Sequence, residues 1–411
     1  MTAAAGSAPG DPAPAHPSRQ LLAMFRSNAR QYGMLVALLV VVVIFQFTTS
    51  GKLLGSLNVT NIFLQNGYIV LMALGMLLVI VVGHIDLSVG SVAAFTGAVA
   101  AVLMVDPAWK LDPLLASLVA LFIGGMIGAW HGFWIAYMGI PSFIATLSGM
   151  LLFRGLTLFM LQGQPVGPFP ASFRAIASGF IPDPIANGGG GGTSLHVTSL
   201  VLAAGLVLLL IVSDWLARRE QVRYGFTVGP IFVFVIRNAL LAGSIMYLAW
   251  LMANYNGLPV VLVLMLVLTG VYIFVTNRTV IGRRLYAVGG NAKAAMLSGV
   301  NSKRLVFLAF VNMGVLAALG GLVFAARLNS ATPKAGTGFE LDVIAAAFVG
   351  GASAYGGVGT VFGAVIGALF LGVLNIGMGI MSIGIDYQQA IKALVLLGAV
   401  YFDVSSKRRA G

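Results

Sequence analysis

The feature that most constrains this chain is a succession of apolar runs, most of them long enough to cross a bilayer as a helix. A helix needs about 20 apolar residues to span the hydrocarbon core. The short run at 342–354 either crosses or re-enters. The sequence therefore predicts an all-α polytopic transmembrane helical bundle of about 10–12 spans. Their approximate limits are 32–47, 61–83, 88–105, 114–137, 142–161, 197–216, 230–252, 258–276, 305–327, 342–354, 360–380 and 387–403.

Composition excludes the main soluble classes. Of the 411 residues, 59% are hydrophobic and only 8% are charged, whereas soluble domains carry about 25% charged residues. A soluble enzyme, a disordered chain and a nucleic-acid-binding protein are therefore excluded. The chain contains no Cys, which excludes disulfides, thiolate zinc sites and cysteine nucleophiles.

The distribution of basic residues predicts the orientation in the membrane. The net charge is +12, and an N terminus in the cytoplasm places most Lys and Arg residues in cytoplasmic segments. This follows the positive-inside rule, so we expect both termini to be cytoplasmic. The expected organisation is a disordered, basic tail at 1–30, a transmembrane domain at 31–403 and a basic tail at 404–411.

Two connections between the apolar runs are long. Residues 162–196 fall outside the cell in this topology and include the five-glycine run 188–192, which reads as a flexible linker. Residues 277–304 fall in the cytoplasm and form the most basic stretch of the chain.

The chain also contains a weak internal repeat. One copy runs from Asp86 to a ladder of glycines at every fourth residue that starts at Gly124. The other runs from Glu340 to a similar ladder that starts at Gly363. The predicted topology sends the two ladder helices in opposite directions, as in the inverted repeats of many transporters. The alternative is that two glycine-rich apolar helices look alike by chance.

Acidic and hydroxyl side chains near the starts of the two repeats are candidate translocation or gating residues. A carboxylate at membrane depth costs about 2.5–3.5 kcal/mol on insertion scales, so its presence needs a reason. One reason is capping, because Asp86 or Ser88 precedes a helix that starts near Val89. The other is a conformational pivot or a polar group that faces a cavity. In the second repeat, Glu340 and Asp342 are the corresponding candidates.

The basic stretch 277–304 contains the pattern of a short, capped helix. Gly289 and Gly290 are expected to break the chain, and Asn291 is a good N-cap. Good helix formers follow over 292–298, and Gly299 can end the helix. A capped helix in a basic cytoplasmic loop favours docking of a soluble partner.

The docking hypothesis names specific side chains. Met296 and Leu297 are the only large apolar residues of the short helix, so at least one should be an anchor. Arg283 and Lys293 belong to the surrounding basic set. The alternative is that these cations reflect only the general basicity of cytoplasmic loops.

Motifs of catalysis are absent from the sequence. It has no G-x-x-x-x-G-K-[ST] phosphate-binding loop and no H-E-x-x-H pair. The glycine-rich segment 350–359 has no Lys, so we interpret it as a bend between helical segments. The four His are scattered without metal-ligand spacing. We therefore predict no catalytic residues, no metal site and no cofactor in this chain.

Several motifs resemble the ribose/xylose/arabinose-type permeases of bacterial ABC importers. They are Gly83-His-Ile-Asp-Leu-Ser-Val-Gly90, Ile140-Pro-Ser-Phe-Ile-Ala-Thr-Leu147, Tyr286-Ala-Val-Gly-Gly-Asn291, Ala335-Gly-Thr-Gly-Phe-Glu-Leu-Asp342 and Ala345-Ala-Ala-Phe-Val-Gly-Gly351. The resemblance covers roughly residues 60–403. An extra apolar pair around 197–252 is most similar to the xylose-type members, whereas His84 departs from the family pattern.

The resemblance implies a permease for a monosaccharide, with D-xylose expected, in the inner membrane of a bacterial cell. It implies a homodimer of permease chains, a cytoplasmic ATP-binding subunit that holds ATP and Mg²⁺, and an extracytoplasmic sugar-binding protein. Carried over from the family, the coupling function falls on 289–299. The acidic Asp-Leu motif of the family matches Asp86 and Leu87.

Other functions remain open at this point. An ion-coupled secondary transporter would need an intramembrane acid–base relay, for which Asp86 and Arg154 are the available material. A permease of the same superfamily could carry another sugar, a nucleoside or an amino acid. A membrane enzyme is disfavoured, because no His/Asp/Cys constellation is present.

Overall fold

The computed structural model describes residues 29–184, 195–226 and 228–408. Within these ranges the chain forms helices with short connections. They are α1 (Ala29–Thr48), α2 (Ser56–Val81), α3 (Val89–Val105), α4 (Pro113–Ala136), α5 (Ser142–Met160), α6 (Ala171–Ser178), α7 (Val197–Arg223), α8 (Ile231–Ala253), α9 (Val260–Arg278), α10 (Val280–Gly290), α11 (Ala292–Leu297), α12 (Ser302–Leu328), α13 (Phe339–Val349), α14 (Val361–Ile380) and α15 (Ile385–Arg408).

The structure describes only part of the segments that the sequence assigns to tails and to a linker. The glycine run 188–192 and the tail up to residue 28 lie outside the described residues. At the other end, α15 continues to Arg408, so residues 404–408 of the predicted tail extend a helix.

The all-α bundle predicted from the apolar runs is confirmed. Eight helices in the described ranges are long and apolar enough to cross a membrane, namely α2, α4, α5, α7, α8, α9, α12 and α14. Shorter apolar helices occur at Gly33–Thr48 and Val89–Val105. Strand-like pairing in these ranges is limited to two isolated bridges, Val166–Ala331 and Phe180–Pro259.

The core of the bundle is held by antiparallel contacts between glycine-rich helices. A Cβ placed at Gly128 of α4 would lie 2.2 Å from the Phe310 carbonyl oxygen of α12. Further along the pair, a Cβ at Gly314 would lie 2.1 Å from the Gly124 carbonyl oxygen. Small residues allow this approach, which maximises packing where lipid removes the hydrophobic driving force between helices.

The two ladder helices α4 and α14 run in opposite directions. Both α12 and α14 run antiparallel to α2. Gly75 faces Met313 while Met72 faces Gly320, and Leu77 faces Gly359 while Asn66 faces Gly372. Since α4 is antiparallel to α12, it is also antiparallel to α14. In α14 the ladder packs on α13, where a Cβ at Gly367 would lie 2.0 Å from the Ala346 carbonyl oxygen. This geometry is that of an inverted repeat.

In each repeat, a long helix is followed by an irregular segment and a shorter helix that begins inside the bundle. Residues 82–88 connect α2 to α3, and Ser88 is fully buried at that junction. Residues 329–338 connect α12 to α13, whose first residue Phe339 is also buried. Discontinuous helices of this kind are found at the binding sites of transporters.

Candidate functional site

Asp86 braces the turn that precedes α3. Its Oδ1 accepts hydrogen bonds from the Ser88 backbone N–H at 2.8 Å and from the Ser88 hydroxyl at 2.5 Å. Only 4% of Asp86 is exposed. Ser88 occupies the N-cap position, but its side chain makes no capping hydrogen bond. Asp86 accepts from Ser88 itself and not from an N–H of the first turn of α3, so neither of the two capping candidates caps that turn, and Asp86 instead fixes the turn before the helix.

The segment that contains Asp86 is attached to α5. The Leu87 N–H donates to the Thr146 hydroxyl at 3.1 Å, and the Ile85 N–H lies 3.5 Å from the Ser142 hydroxyl. Irregular backbone at membrane depth requires such internal partners, because no water is available to satisfy it.

Glu340 and Asp342, in the first turn of α13, face different neighbours. The Lys392 Nζ of α15 lies 3.0 Å from an Asp342 carboxylate oxygen. An Arg154 Nη of α5 lies 3.9 Å from a Glu340 oxygen. The sequence offered no partner for Arg154 or Lys392, since each is far along the chain from its carboxylate. Acidic groups near the start of a helix are also favoured by its macrodipole.

The beginnings of the two shorter helices touch through backbone. A Cβ at Gly90 would lie 2.2 Å from the Gly336 carbonyl oxygen, and one at Gly336 would lie 1.9 Å from the Gly90 carbonyl oxygen. The structure thus brings the start of α3 to the segment that leads into α13, while the carboxylates of Asp86, Glu340 and Asp342 keep separate partners. We call this arrangement the half-helix junction, defined by 84–90 and 336–342.

The basic stretch forms two capped helices, α10 and α11. The Thr279 hydroxyl accepts from the Gly282 N–H at 3.2 Å, and Asn291 Oδ1 accepts from the Ala294 N–H at 3.0 Å. The chain turns after α11 at Gly299, whose φ of +80° suits glycine.

One detail of the sequence-based assignment is wrong. Gly289 and Gly290 do not interrupt the helix, because α10 continues through both residues. The break falls at Asn291, which adopts φ −158° and ψ 98°. Close packing, and not flexibility, requires a glycine at position 289.

Gly289 lies where three segments meet. A Cβ at this residue would lie 1.7 Å from the Val81 carbonyl oxygen and 2.6 Å from the Gly357 nitrogen. The Gly357 N–H in turn donates to the same Val81 oxygen at 2.8 Å. Val81 is the last residue of α2, and the chain continues from it into the segment that contains Asp86. The end of α10 therefore contacts both the segment before the half-helix junction and the turn after α13. We call this contact the glycine junction.

A second contact reinforces the glycine junction. The Tyr286 hydroxyl donates to the Gly359 carbonyl oxygen at 2.8 Å. Burial raises the pKa of the Tyr286 phenol, so it remains protonated and keeps this donor at neutral pH.

The short helix α11 presents its apolar side chains to solvent. Met296 is 62% exposed and Leu297 is 86% exposed, whereas Ala295 is buried against the bundle. Lys293 is exposed on the same helix. Arg283 lines a cavity of about 620 Å³ between α9, α10 and the start of α14. This end of the protein therefore offers an exposed apolar tip on a helix that also carries the exposed cation Lys293.

Clusters of metal ligands do not occur in the described part of the chain, where no three His, Asp or Glu side chains lie together. The acidic groups of the half-helix junction are instead hydrogen-bonded or paired with cations. Its backbone contacts link the beginnings of α3 and α13, which belong to separate repeats.

Comparison with known proteins gives a family match over most of the chain. Residues 58–400 match the family described as branched-chain amino acid transport system / permease component. No solved structure matches the chain.

Three relatives from Escherichia coli (strain K12) illustrate the similarity. The xylose transport system permease protein XylH is 37% identical over 93% of this chain and 93% of its own length. The ribose import permease protein RbsC is 35% identical over 90% of this chain and 92% of its own length. The D-allose transport system permease protein AlsC is 30% identical, over 91% of both chains.

Proposed function

The chain belongs to the family of branched-chain amino acid transport system / permease components, and from this premise we propose that it is the membrane permease of a sugar ABC importer. It moves a monosaccharide into the cell across the bacterial inner membrane. A separate subunit binds ATP and Mg²⁺ and hydrolyses the ATP. This chain itself is a transport subunit and not an enzyme.

The observation that supports this proposal most strongly is the capped helix α11. Its exposed Met296 and Leu297 form the kind of apolar tip that a groove on a partner accepts. Burial of one such side chain contributes about 1.5–3 kcal/mol to docking. The cations around it, such as Lys293, would steer the encounter and fix register more than they add affinity.

The glycine junction supplies a route from the docking helix to the transport path. Movement of α11 displaces the end of α10, where Gly289 contacts the backbone of Val81 and Gly357. Val81 leads to the half-helix junction, and Gly357 lies in the turn between α13 and α14. Tightly packed backbone does not deform continuously, so we propose that the half-helix junction alternates between two arrangements that open to opposite sides.

D-xylose is the proposed substrate. The printed names of three relatives refer to xylose, ribose and allose, and the xylose protein shares the highest identity of these three. Another monosaccharide is the principal alternative, followed by a nucleoside or an amino acid within the same superfamily.

The proposed assembly contains a second copy of this chain, a cytoplasmic ATP-binding subunit and an extracytoplasmic sugar-binding protein. Both termini and α11 are proposed to lie in the cytoplasm.

Uptake into proteoliposomes tests the proposed function. The chain is reconstituted with its ATP-binding subunit and sugar-binding protein, and entry of labelled xylose, ribose, allose, a nucleoside and leucine is measured. We expect xylose uptake to require ATP and to survive a protonophore and a sodium ionophore. Uptake that persists without ATP and stops with an ionophore would instead identify a secondary transporter.

Cysteine labelling tests the orientation separately. Because the chain has no native Cys, a Lys293→Cys variant carries a single thiol. An impermeant maleimide should label it in inverted membrane vesicles and not in intact cells. Labelling from outside intact cells would reverse the topology.

A further inference from the structure

The hairpin of α7 and α8 contains a polar cavity that the proposed transport path does not use. The cavity measures about 530 Å³ and lies between the last turns of α7 and the first turns of α8. Its polar lining includes Asp214, Arg218 and Arg237. Charged side chains in apolar helices are costly and usually functional.

Asp214 holds one of the two arginines in place. It forms an ion pair with Arg237 across the hairpin, and Asn238 Nδ2 donates to the same carboxylate at 2.9 Å. Arg218 lines the same cavity from the last turns of α7. The cavity therefore has two cations and one anion, which leaves an excess of one positive charge.

Arg218 is the cation that remains available to a ligand. One of its Nη groups donates to the Gly229 carbonyl oxygen at 2.7 Å, and its guanidinium lies 5.2 Å from the centre of the Phe234 ring. These contacts orient the group without neutralising it. A guanidinium has five N–H donors in a planar fork that fits the oxygens of a phosphate.

The apolar walls of the cavity indicate which kind of phosphate-containing ligand it fits. Phe232, Ile236 and Leu240 line it and are 52%, 54% and 68% exposed. The most apolar stretches of α7 and α8 are each only 6% buried inside the protein, so these side chains face the lipid phase. A free inorganic anion would leave these walls uncovered, whereas an acyl chain would cover them.

We infer that this cavity binds an anionic phospholipid, with its phosphate at Arg218 and an acyl chain along Phe232, Ile236 and Leu240. Basic pockets between membrane helices are known to select anionic headgroups. The inference goes beyond the proposed function, since it concerns lipid selection by a peripheral hairpin and holds whichever substrate the chain transports.

Native mass spectrometry of the purified protein in detergent tests the inference. Phosphatidylglycerol and phosphatidylcholine with identical acyl chains are titrated separately, and the fraction of protein that retains lipid is measured. We expect phosphatidylglycerol to bind at least about tenfold more tightly, because both lipids carry a phosphate but only phosphatidylcholine adds a cation, which the net positive charge of the cavity repels. Equal retention of the two lipids would overturn the inference.

Matched variants locate the site. Arg218→Gln should remove most of the preference, and Arg218→Lys should keep part of it, because the charge remains but the planar fork is lost. Arg223→Gln is the control, because Arg223 lies at the end of the same helix and outside the cavity lining. An equal loss in Arg218→Gln and Arg223→Gln would overturn the assignment to this cavity. So would displacement of the lipid by millimolar inorganic phosphate, which would identify a simple anion site.

Discussion

The centre of the bundle and its α7–α8 hairpin are similarly apolar but packed in opposite ways. In α2, 89% of the most apolar stretch is buried, and the values for α12 and α14 are 67% and 72%. In α7 and α8 the corresponding value is 6%. Apolarity thus places a helix in the membrane, but it does not decide whether the helix contacts protein or lipid.

Glycine environment distinguishes the two regions. A Cβ at Gly128 or Gly314 in the centre would collide with backbone of a neighbouring helix. A Cβ at Gly205 of α7 or Gly243 of α8 would have no heavy atom within 4 Å. In the centre, glycine is therefore a packing residue, whereas in the hairpin it has no contact that requires it.

The largest expected effect compares one glycine from each region. Gly128→Leu in α4 should prevent assembly of the core, because the side chain would meet the Phe310 backbone, which cannot move aside without separating α4 from α12. We expect a loss of more than about 3 kcal/mol, at the upper end of overpacking effects. The measurement is the yield of monodisperse protein in size-exclusion chromatography. Gly205→Leu is the control, and equal losses for both variants would remove the distinction between the regions.

The next effect concerns exposed apolar residues that have different neighbours. Leu208 in α7 is 63% exposed and faces lipid, whereas Met296 and Leu297 are exposed on the loop side. Replacing Met296 and Leu297 together by Asp should leave the protein folded, because neither side chain supports the bundle. Coupled uptake and sugar-stimulated ATP hydrolysis should be lost, since the apolar anchors of docking are gone. Both are measured in proteoliposomes.

The control for that double variant is Lys293→Gln, which removes a charge of the same helix. We expect this variant to reduce coupled uptake moderately. The difference from the unmodified protein should shrink at high salt, because salt screens steering by exposed charges. Normal coupled uptake in the Asp double variant would contradict docking through α11.

The smallest effect concerns a single hydrogen bond in the centre. Asn375 Nδ2 of α14 donates to Asn66 Oδ1 of α2 at 3.0 Å. Polar contacts between membrane helices contribute about 0.6 kcal/mol on average. Asn375→Ala should therefore lower the free energy of unfolding by about that amount in a detergent denaturation series. A loss of several kcal/mol would show that polar contacts, and not glycine packing, dominate the centre.

Local patterns predicted part of this structure well. Asn291 caps α11 as its side-chain chemistry indicates, and the helix ends near Gly299. The ladders at Gly124 and Gly363 identified helices that the structure places in opposite directions. The cap and the ladders depend on residues within a few positions of each other, and the directions of the ladder helices follow from the order of the apolar runs, so one sequence is enough to find them.

Contacts between distant segments could not be predicted. Arg154 of α5 and Lys392 of α15 both find their partners in α13, which is far along the chain from each of them. The same limit explains the error at Gly289, which was interpreted as a helix break. Its function in packing depends on Val81 and Gly357, and nothing in the local sequence indicates that contact.

The central claim is that the glycine junction connects the docking helix to the half-helix junction, and two adjacent glycines test it directly. In Gly289→Ala the new Cβ would lie 1.7 Å from the Val81 carbonyl oxygen, whereas in Gly290→Ala it would meet no heavy atom within 4 Å. The number of sugar molecules imported per ATP hydrolysed is measured in proteoliposomes that contain the complete importer. We predict that Gly289→Ala lowers this ratio strongly while ATP hydrolysis continues, and that Gly290→Ala leaves the ratio unchanged. Equal ratios in the two variants would contradict the claim.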